Sequence, residues 1–384
     1  MTKTIYIYSA GRSDIDRYHP FIKCLSKLKS VKLKIIPSNI HFLKKYGLTI
    51  NEIKKKKFPY FKLRIKTPTS YEMTKKRDID DLTNIFKKKR PDLLIVLGDR
   101  YEMLIAATIA TGFNIPIVHL FGGAVTYGSK DEIHRHAISK MSNIHLVAHK
   151  DYANRLYQLG EEKWRIKIIG MPELNYLKKI PNFSYDQLKK KINIDLNKPT
   201  FLVNFHPLTY QSKKIKYCFG NLLKALTKFD NQLIFTYPNA DQGNELIIKM
   251  MNSFVKKNIN RRFIIKNAGD QIYKNLLVKC KVIIGNSSSG IVEAASFSLP
   301  SVNIGDRQKG KIIPKNVINS SYKVDEIIRS IKKSQNKFFK NNIRNLQNPY
   351  FKNLDTMKIA QYISKIKINE KLIKKRFINL DKSK

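Results

Sequence analysis

One segment of the chain combines small hydroxyl residues with the start of a predicted helix. The apolar run Val282 to Ile284 predicts a strand that ends at Gly285, and the residues Asn286 to Gly290 (NSSSG) follow it. A helical pattern begins near Ile291. Free backbone N–H groups at a helix start, Ser hydroxyls and the positive end of the helix dipole all favour an anion. We therefore predict a nucleotide diphosphate site at the carboxyl edge of a parallel sheet, with a Ser-capped structural turn as the alternative.

Charged residues lie on both sides of a second predicted strand in this region. Ser301 to Ile304 is apolar enough to form a strand, and it ends in Gly305-Asp306-Arg307. Glu293 is predicted to lie one turn into the preceding helix, where its carboxylate can accept from sugar hydroxyls. Arg307 is a candidate for closing the site over its ligand. A surface ion pair between Asp306 and Arg307 is the alternative.

Polar residues also follow other predicted strands. Asp99 and Arg100 follow the apolar run Leu93 to Leu97, and His206 follows Phe201 to Phe205. Because the carboxyl ends of parallel strands meet at one sheet edge, this placement is typical of active sites in α/β proteins. We expect the Arg100 guanidinium to keep the neighbouring Asp99 carboxylate ionised. A structural Asp–Arg pair and a hydrogen-bonded surface His are the alternatives.

The motifs together resemble a known family. The segments are Gly11 to Asp14 (GRSD), Leu97 to Glu102 (LGDRYE), His206-Pro207, Phe235 to Asp241 (FTYPNAD), Asn286 to Ala294 (NSSSGIVEA) and Val302 to Gly310 (VNIGDRQKG). In this order and spacing they resemble the hydrolysing UDP-N-acetylglucosamine 2-epimerases of the sialic and legionaminic acid type, from about residue 3 to about residue 365. The resemblance implies elimination of UDP across C1–C2 of the sugar, followed by addition of water with inversion at C2.

The resemblance also implies roles for individual residues. Asp99 and Asp131 are expected to act in acid–base chemistry, and His206 to lie near the sugar and diphosphate; a helix N-cap is the competing role for Asp131. Residues expected to bind the substrate are Arg12, Ser13, Arg100, Ser287, Ser288, Gly290, Glu293 and Arg307. The reaction requires neither a cofactor nor a metal, because UDP is already a good leaving group, and the His and Cys residues show no ligand spacing.

The chain departs from the family at His119 to Ala124 (HLFGGA). Family members usually have His-x-His-Gly-Gly-Glu here, so Phe121 replaces the second His and Ala124 replaces the catalytic Glu. A methyl group cannot transfer a proton, and loss of one acid–base group commonly costs on the order of 10²–10⁴ in rate. Glu102, Asp131 and Glu132 are the nearby carboxylates that could substitute.

Alternating strand and helix patterns predict an α/β fold of two doubly wound, Rossmann-like domains. We expect an N-terminal domain over residues 1–175, a connection over 176–199 and a nucleotide-binding domain over 200–354. The resemblance implies the glycosyltransferase-B arrangement, in which two such domains face a cleft and a last helix, here about 355–368, crosses back to the first. We expect partial disorder in the basic tail, residues 369–384.

Composition limits the class of protein further. The formal net charge of +45 comes mostly from Lys dispersed along the 384 residues. No nucleic-acid module accompanies this charge, so solvated faces are the favoured explanation, and the positive field should attract an anionic UDP-sugar. No apolar run approaches the ~20 residues of a membrane helix, and no signal-peptide core is evident. The three scattered cysteines, Cys24, Cys218 and Cys280, predict a cytoplasmic protein.

Three other functions remain open at this point. The same fold and nucleotide site would serve a glycosyltransferase or a UDP-sugar hydrolase that performs no chemistry at C2. Ala124 also fits a UDP-sugar-binding protein without catalytic activity, and the net charge leaves a nucleic-acid binder as the weakest alternative. As partners we expect a UDP-amino sugar and a second copy of the chain, in a dimer or tetramer, with neither nucleic acid nor a membrane.

Overall fold

The fold consists of two compact units that are both built on parallel sheets. The computed structural model describes residues 2–44, 47–63, 71–177, 179–208, 210–239 and 241–380, without the side chains of Arg12, Tyr71 and Ser212. The first unit comprises residues 1–124, 131–176 and 352–384, and the second comprises 125–130 and 177–351. In the described part of the chain, no helix has both the length and the apolar character that crossing a membrane requires.

Strands and helices alternate along the chain. The strands are β1 (Lys3–Ser9), β2 (Val31–Pro37), β3 (Leu93–Leu97), β4 (Ile117–Leu120), β5 (Ile144–Val147), β6 (Ile166–Ile168), β7 (Thr200–Asn204), β8 (Gln232–Thr236), β9 (Arg262–Ile265), β10 (Val282–Gly285), β11 (Ser301–Ile304) and β12 (Val317–Ser320). The helices are α1 (Arg12–Leu25), α2 (Ile50–Lys55), α3 (Tyr71–Lys88), α4 (Tyr101–Gly112), α5 (Asp131–Met141), α6 (Lys150–Gln158), α7 (Pro172–Leu177), α8 (Tyr185–Ile192), α9 (Ile215–Leu226), α10 (Asn244–Lys256), α11 (Gly269–Lys279), α12 (Val324–Gln335), α13 (Lys337–Ile343), α14 (Thr356–Lys365) and α15 (Glu370–Ile373).

The first unit contains a parallel sheet in the order β2-β1-β3-β4-β5-β6. Its central strand β3 has the sequence LLIVL, and every one of these residues is buried. A strand covered by helices on both faces must be apolar throughout, which is why this run was recognisable in the sequence. The strand order reverses between β1 and β3, so the segments after Ser9 and Leu97 lie at the switch point of the sheet.

The second unit repeats the architecture with the order β12-β11-β10-β7-β8-β9. Here the order reverses between β7 and β10, which places the residues after Asn204 and Gly285 side by side. These two parallel sheets confirm the predicted α/β class. The sequence did not predict the edge strand β12, because only Val317 and Ile318 of its four residues are apolar and both are only partly buried.

The predicted helix after Gly290 is wrong. The structure has two short 3₁₀ segments instead, Ser288–Gly290 and Ala294–Phe297. Residues 286–300 connect β10 to β11, and Ser298 adopts a left-handed conformation just before Leu299-Pro300. The residue before a proline disfavours the helical region, so the segment closes within two tight turns.

The end of the chain returns to the first unit. Helix α14 begins at its Asp355 N-cap and packs against α1. We call residues 369–380 the C-terminal strap: Leu372 is buried, its carbonyl accepts from Asn143 Nδ2 at 2.9 Å, and Lys375 Nζ pairs with Glu161. Residues 369–380 of the tail, for which the sequence predicted partial disorder, thus form a short helix and contacts with the first unit, while residues 381–384 lie outside the described residues.

Candidate active site

Asp99 lies at the carboxyl edge of the first sheet, directly after β3. Gly98 has a φ of +71° and its N–H donates to the Leu120 carbonyl at 2.8 Å, which turns the chain sharply at the strand end. The Asp99 side chain is 31% exposed and forms an ion pair with Arg135. The turn thus presents a partly solvated carboxylate at the sheet edge, where a substrate could reach it.

Arg135, in the middle of α5, connects several groups of this region. Its Nη2 donates to Asp99, and its Nη1 donates to Glu132 Oε2 at 2.7 Å and to the Ala124 carbonyl at 3.1 Å. Burial lowers the pKa of a guanidinium, but the Asp99 and Glu132 carboxylates outweigh it and raise the pKa of Arg135 above its usual range. Arg135 therefore remains a fixed cation among these groups. Arg135 was not predicted as a site residue from the sequence. The spacing of Glu132 and Arg135 on one helix face was the signal that could have indicated it.

Arg100, which follows Asp99 in the chain, lies close to two buried carboxylates. Arg100 Nε lies 3.3 Å from the buried Glu102 carboxylate. The Arg100 charge also lowers the pKa of Asp14, although burial, the larger effect, leaves that pKa raised. Asp14 accepts from the Ala10 and Gly11 N–H groups at 2.7 and 3.1 Å and so fixes the turn after β1. Arg100 thus balances buried carboxylates at the switch point, while Arg135 forms an ion pair with Asp99.

The two residues predicted after β1 lie at the start of α1. Ser13 is exposed, and its hydroxyl is 3.4 Å from Asp14 Oδ1. The Arg12 side chain lies outside the described residues. Ser13 is accordingly available to a ligand at this edge of the sheet.

His119, at the end of β4, is a buried neutral imidazole. Its Nε2 lies 2.7 Å from the Gly98 carbonyl, which can only accept, so Nε2 carries the hydrogen and Nδ1 accepts from Ser139 Oγ at 3.1 Å. Burial lowers the pKa of His119 to about 3. His119 therefore supports the turn that carries Asp99 instead of exchanging protons near neutral pH.

The segment after His119 is tightly packed. Phe121 is buried with a φ of +64°, a conformation that a bulky residue rarely adopts. A side chain on Gly122 would lie 2.7 Å from both His119 Nδ1 and Ser139 Oγ. Ala124 is 9% exposed, and its carbonyl accepts from Arg135. Phe121 and Ala124 thus contribute an apolar ring and a methyl group to this segment, and neither supplies an ionisable side chain.

Asp131 is the first helical residue of α5 and not its N-cap. A carboxylate in the first turn is stabilised by the helix dipole, and the Asp131 charge acts on Arg135. In the same helix, Glu132 Oε1 lies 2.9 Å from His136 Nε2. His134 stacks against Tyr101, with ring centroids 5.4 Å apart, and the ring hydrogen-bonds to the Asp99 backbone. Helix α5 therefore directs most of its ionisable residues towards the Asp99 turn.

In the second unit, the NSSSG segment forms a tight turn at the end of β10. Ser287 Oγ accepts from the Ser289 N–H at 3.3 Å, and Ser287 and Ser288 are partly exposed. A side chain on Gly290 would lie 2.5 Å from Ser301 Oγ, so only glycine lets β11 approach this closely. The N–H groups of Ser289, Gly290 and Ile291 donate within the turn, to Ser287 Oγ, the Ser287 carbonyl and the Ser288 carbonyl. The turn therefore presents the partly exposed Ser287 and Ser288 side chains to a ligand, instead of the free N–H groups expected from the sequence.

A hydrogen-bonded network of polar side chains supports this turn from below. Tyr273 OH donates to Ser289 Oγ at 2.7 Å, and Asn204 Nδ2 donates to Tyr273 OH at 2.5 Å. Thr236 Oγ1 donates to Asn204 Oδ1 at 3.1 Å. These contacts join the ends of β7, β8 and β10 with α11. In the sequence, the only sign of this network was that polar residues stand at the ends of predicted strands.

The remaining predicted residues of the second unit lie around Asn286. Its side chain bonds the backbone of His206, and its carbonyl accepts from Arg307 Nη1 at 3.3 Å. His206 Nδ1 accepts from the Asn239 N–H at 3.1 Å. Glu293 Oε2 is buried without a hydrogen-bond partner, which is costly for a carboxylate unless a ligand donates to it. Within the ranges that the structure describes, no group of His, Cys, Asp or Glu could hold a metal ion.

The fold and these strand-end residues define a class. Two parallel, doubly wound sheets of this kind occur in a UDP-GlcNAc 2-epimerase from Neisseria meningitidis bound to UDP-GlcNAc, with a TM-score of 0.78 at 18% identity over 94% of this chain and 99% of that one. The Methanocaldococcus jannaschii UDP-GlcNAc 2-epimerase, in complex with UDP-GlcNAc and UDP, gives 0.75 at 18% identity over 94% and 99%. These likenesses establish the glycosyltransferase-B type of fold.

Sequence comparison identifies the family. Residues 23–364 match the family model described as UDP-N-acetylglucosamine 2-epimerase. The chain is 36% identical to the GDP/UDP-N,N'-diacetylbacillosamine 2-epimerase (hydrolyzing) of Campylobacter jejuni, covering 88% of this chain and 89% of the relative. It is 33% identical to the UDP-N,N'-diacetylbacillosamine 2-epimerase (hydrolyzing) of Legionella pneumophila, covering 87% and 89%. The chain belongs to the UDP-N-acetylglucosamine 2-epimerase family and is an enzyme that acts on a UDP-sugar.

Proposed function

We propose that this enzyme hydrolyses a UDP-2-acetamido sugar with inversion at C2, releasing UDP and the 2-epimeric amino sugar. UDP-N,N'-diacetylbacillosamine is the first substrate to test, because the Campylobacter and Legionella relatives carry that name. UDP-N-acetylglucosamine, which would give N-acetylmannosamine, is the second. The observation that carries the proposal is the partly exposed Asp99 carboxylate, which Arg135 holds at the carboxyl edge of the first sheet.

The chemistry requires a base at C2 and stabilisation of the departing diphosphate. Asp99 is the base in this proposal, since its ion pair keeps it ionised and its exposure leaves it accessible. Asp131 is the second acid–base group, which handles the proton of the added water. In the second unit, the hydroxyls of Ser287 and Ser288 donate to the diphosphate, and the buried oxygen of Glu293 accepts from the ribose hydroxyls.

Ala124 favours one alternative reaction. A methyl group at this position supplies no proton carrier, and Phe121 makes the segment apolar. An enzyme with a diphosphate site but incomplete acid–base chemistry would release UDP and leave the configuration at C2 unchanged. UDP-sugar hydrolysis with retention at C2 is therefore the second candidate function.

One experiment separates the two reactions. The enzyme is incubated in D₂O with UDP-N,N'-diacetylbacillosamine or UDP-N-acetylglucosamine, and the products are followed by nuclear magnetic resonance. We expect free UDP, inverted configuration at C2 and one solvent deuterium at C2. UDP release with the original configuration and the C2 hydrogen retained would exclude epimerisation and support the hydrolase. Asp99→Asn, which keeps the shape of the side chain, serves as the inactive control.

The setting of the reaction is part of the same proposal. The product would feed nonulosonic (sialic-type) acid synthesis, as the name of the Escherichia coli relative, polysialic acid biosynthesis protein P7, suggests; it is 31% identical over 92% of this chain. The free thiols of Cys24, Cys218 and Cys280 fit a reducing cytoplasm. We propose a homo-oligomer as the working form, which sedimentation analysis would test.

A further inference from the structure

Two carboxylates share one buried guanidinium at the edge of the first sheet. The Arg135 side chain is 1% exposed, and its two terminal nitrogens serve different partners. Nη2 donates to Asp99, while Nη1 donates to Glu132 Oε2 at 2.7 Å and to the Ala124 carbonyl at 3.1 Å. The Glu132 carboxylate is only 18% exposed, so both ion pairs lie in partly desolvated surroundings, where water screens charge less than at the surface.

We propose that Arg135 is the positioning residue of the reaction, holding the Asp99 carboxylate ionised and oriented, and that competition from Glu132 for the same guanidinium sets how strongly Asp99 binds its proton. This inference rests on the function proposed above, in which Asp99 is the base. It assigns no substrate contact to Arg135.

The geometry requires a guanidinium. A guanidinium presents several N–H donors in a fixed planar fork, so it can bond two carboxylates and a carbonyl at once. A lysine ammonium is a compact charge on a flexible stem and cannot keep the same three directions. Arg135→Lys therefore retains a positive charge but loosens the hold on Asp99.

Charged and titratable groups from several elements lie near Asp99 and Arg135 or near the residues that contact them. They are Arg100 next to Asp99 in the chain, His119 at the end of β4, Glu102 in α4, Lys75 in α3, and Asp131, Glu132, His134 and His136 in α5. The buried His119 is neutral, because its pKa is about 3. Of these groups, Glu132 is the carboxylate hydrogen-bonded to the same guanidinium as Asp99. A change at Glu132 therefore reaches Asp99 by the shortest route.

The inference predicts opposite effects for two variants. Arg135→Lys weakens the cation next to Asp99, so the pKa of Asp99 should rise by roughly one unit. Glu132→Gln removes the competing charge and leaves the guanidinium to Asp99, so the pKa of Asp99 should fall. Loss of structural support alone would not move the two variants in opposite directions.

The test titrates Asp99 directly and also through activity. The chemical shift of the ¹³C-labelled Asp99 carboxyl, assigned with Asp99→Asn, is followed against pH in each variant. The acid limb of the kcat/KM profile is measured with the UDP-sugar that the enzyme turns over. Arg165→Lys is the matched control, because Arg165 is equally buried and pairs with Glu162 at 2.7 Å with the same i,i+3 spacing, next to the C-terminal strap. It should lower stability and leave the Asp99 titration unchanged.

The outcomes distinguish this inference from the proposed function. Opposite shifts of the Asp99 titration, matched by opposite shifts of the acid limb, support both. Opposite shifts of the Asp99 pKa in a protein that turns over no UDP-sugar would contradict the proposed reaction and still support the control of Asp99 by Arg135. Shifts in one direction, or none, in a protein that epimerises its substrate would overturn the inference. If Arg135→Lys does not fold, the Glu132→Gln titration decides.

Discussion

The side chain of Asn286 closes a ring of two hydrogen bonds with the backbone of His206. The His206 N–H donates to Asn286 Oδ1 at 2.7 Å, and Asn286 Nδ2 donates to the His206 carbonyl at 2.9 Å. The carbonyl of Asn286 also accepts from Gln308 Nε2 at 2.8 Å. The strands β7 and β10 are neighbours, and Asn286 is fully buried between the segments that follow them. Its side-chain amide joins the segments after β7 and β10, and its main-chain carbonyl joins the segment after β11.

Removal of this amide should disturb the second unit and its ligand site together. Asn286→Ala leaves the His206 N–H and carbonyl without partners, at about 1–3 kcal/mol for each unsatisfied group, and should weaken UDP binding. Thermal unfolding and isothermal titration with UDP measure the two effects. Asn316→Ala is the control, since Asn316 is also fully buried and donates to the Leu299 carbonyl at 2.7 Å. If Asn316→Ala weakens UDP binding as much as Asn286→Ala does, general destabilisation of the second unit is responsible and not the specific contacts of Asn286.

The two sides of the diphosphate site should respond differently to substitution. Ser288→Ala should weaken UDP binding by roughly 1.5–3 kcal/mol through loss of a hydrogen bond to a charged ligand, without lowering the melting temperature. Ser289→Ala is the matched control and should mainly lower stability, because Ser289 Oγ accepts from Tyr273. Glu293→Gln should weaken UDP more than pyrophosphate. The affinities for both ligands are measured by calorimetry. Equal losses of affinity for UDP and pyrophosphate would show that Glu293 does not bind the ribose.

Asp99 can be compared with an aspartate at the other end of the same strand. Asp99→Asn should lower kcat by on the order of 10²–10⁴ because the base is lost. Asp92 precedes β3, is exposed, and accepts from the Thr4 N–H at 2.7 Å. Asp92→Asn should retain nearly full activity in the same UDP-release assay. An active Asp99→Asn enzyme would mean that the proton of C2 goes to another group.

Restoring the family residues should help only in combination. Ala124→Glu alone places a carboxylate at a position that is only 9% exposed, and an unpaired buried carboxylate destabilises the fold. We expect no gain in turnover from Ala124→Glu and a modest gain from Phe121→His combined with Ala124→Glu. Turnover and melting temperature are measured for both variants. A rise in turnover for the single variant would show that the pocket never repacked around Phe121.

Buried histidines should make the fold sensitive to mild acid. Burial lowers the pKa of His41 to about 4 and of His119 to about 3, from 6.5. Between pH 6.5 and those values the unfolded chain binds protons that the folded chain does not. As the pH is lowered through this range, the free energy of unfolding therefore decreases by about 1.4 kcal/mol per pH unit for each histidine. His119→Gln should reduce the slope of unfolding free energy against pH in this range. An unchanged slope would mean that His119 is already protonated in the folded protein.

The sequence predicted most of the strands because buried parallel strands are continuous apolar runs. Leu93–Leu97 and Val282–Gly285 could be placed within a residue in this way. The edge strand Val317–Ser320 could not, since a strand with one covered side needs no such run. The helix predicted at Ile291 was wrong because the local pattern does not reveal the two short 3₁₀ segments and the left-handed Ser298 that the chain adopts before β11.

The candidate site was predictable where a motif marks it and not where packing alone creates it. Asp99 was found because a polar residue ending an apolar strand stands out. Arg135 was missed, because its role depends on Asp99 and Ala124, which come from two segments that only the fold brings to α5. The same holds for Tyr273, whose hydroxyl links Asn204 to Ser289.

The position of the C-terminal strap has a consequence for synthesis on the ribosome. The first unit is assembled from three stretches of the chain, and the last of them begins at Lys352, after the whole of the second unit. Domains that are continuous in sequence can fold as soon as they emerge. Here the unit that starts first is completed last, when Arg165 and Glu161 meet their partners from residues 371–375. A premature stop codon that removes the C-terminal strap would therefore damage the first unit, which contains the amino terminus, and spare the second unit, which is translated just before the strap.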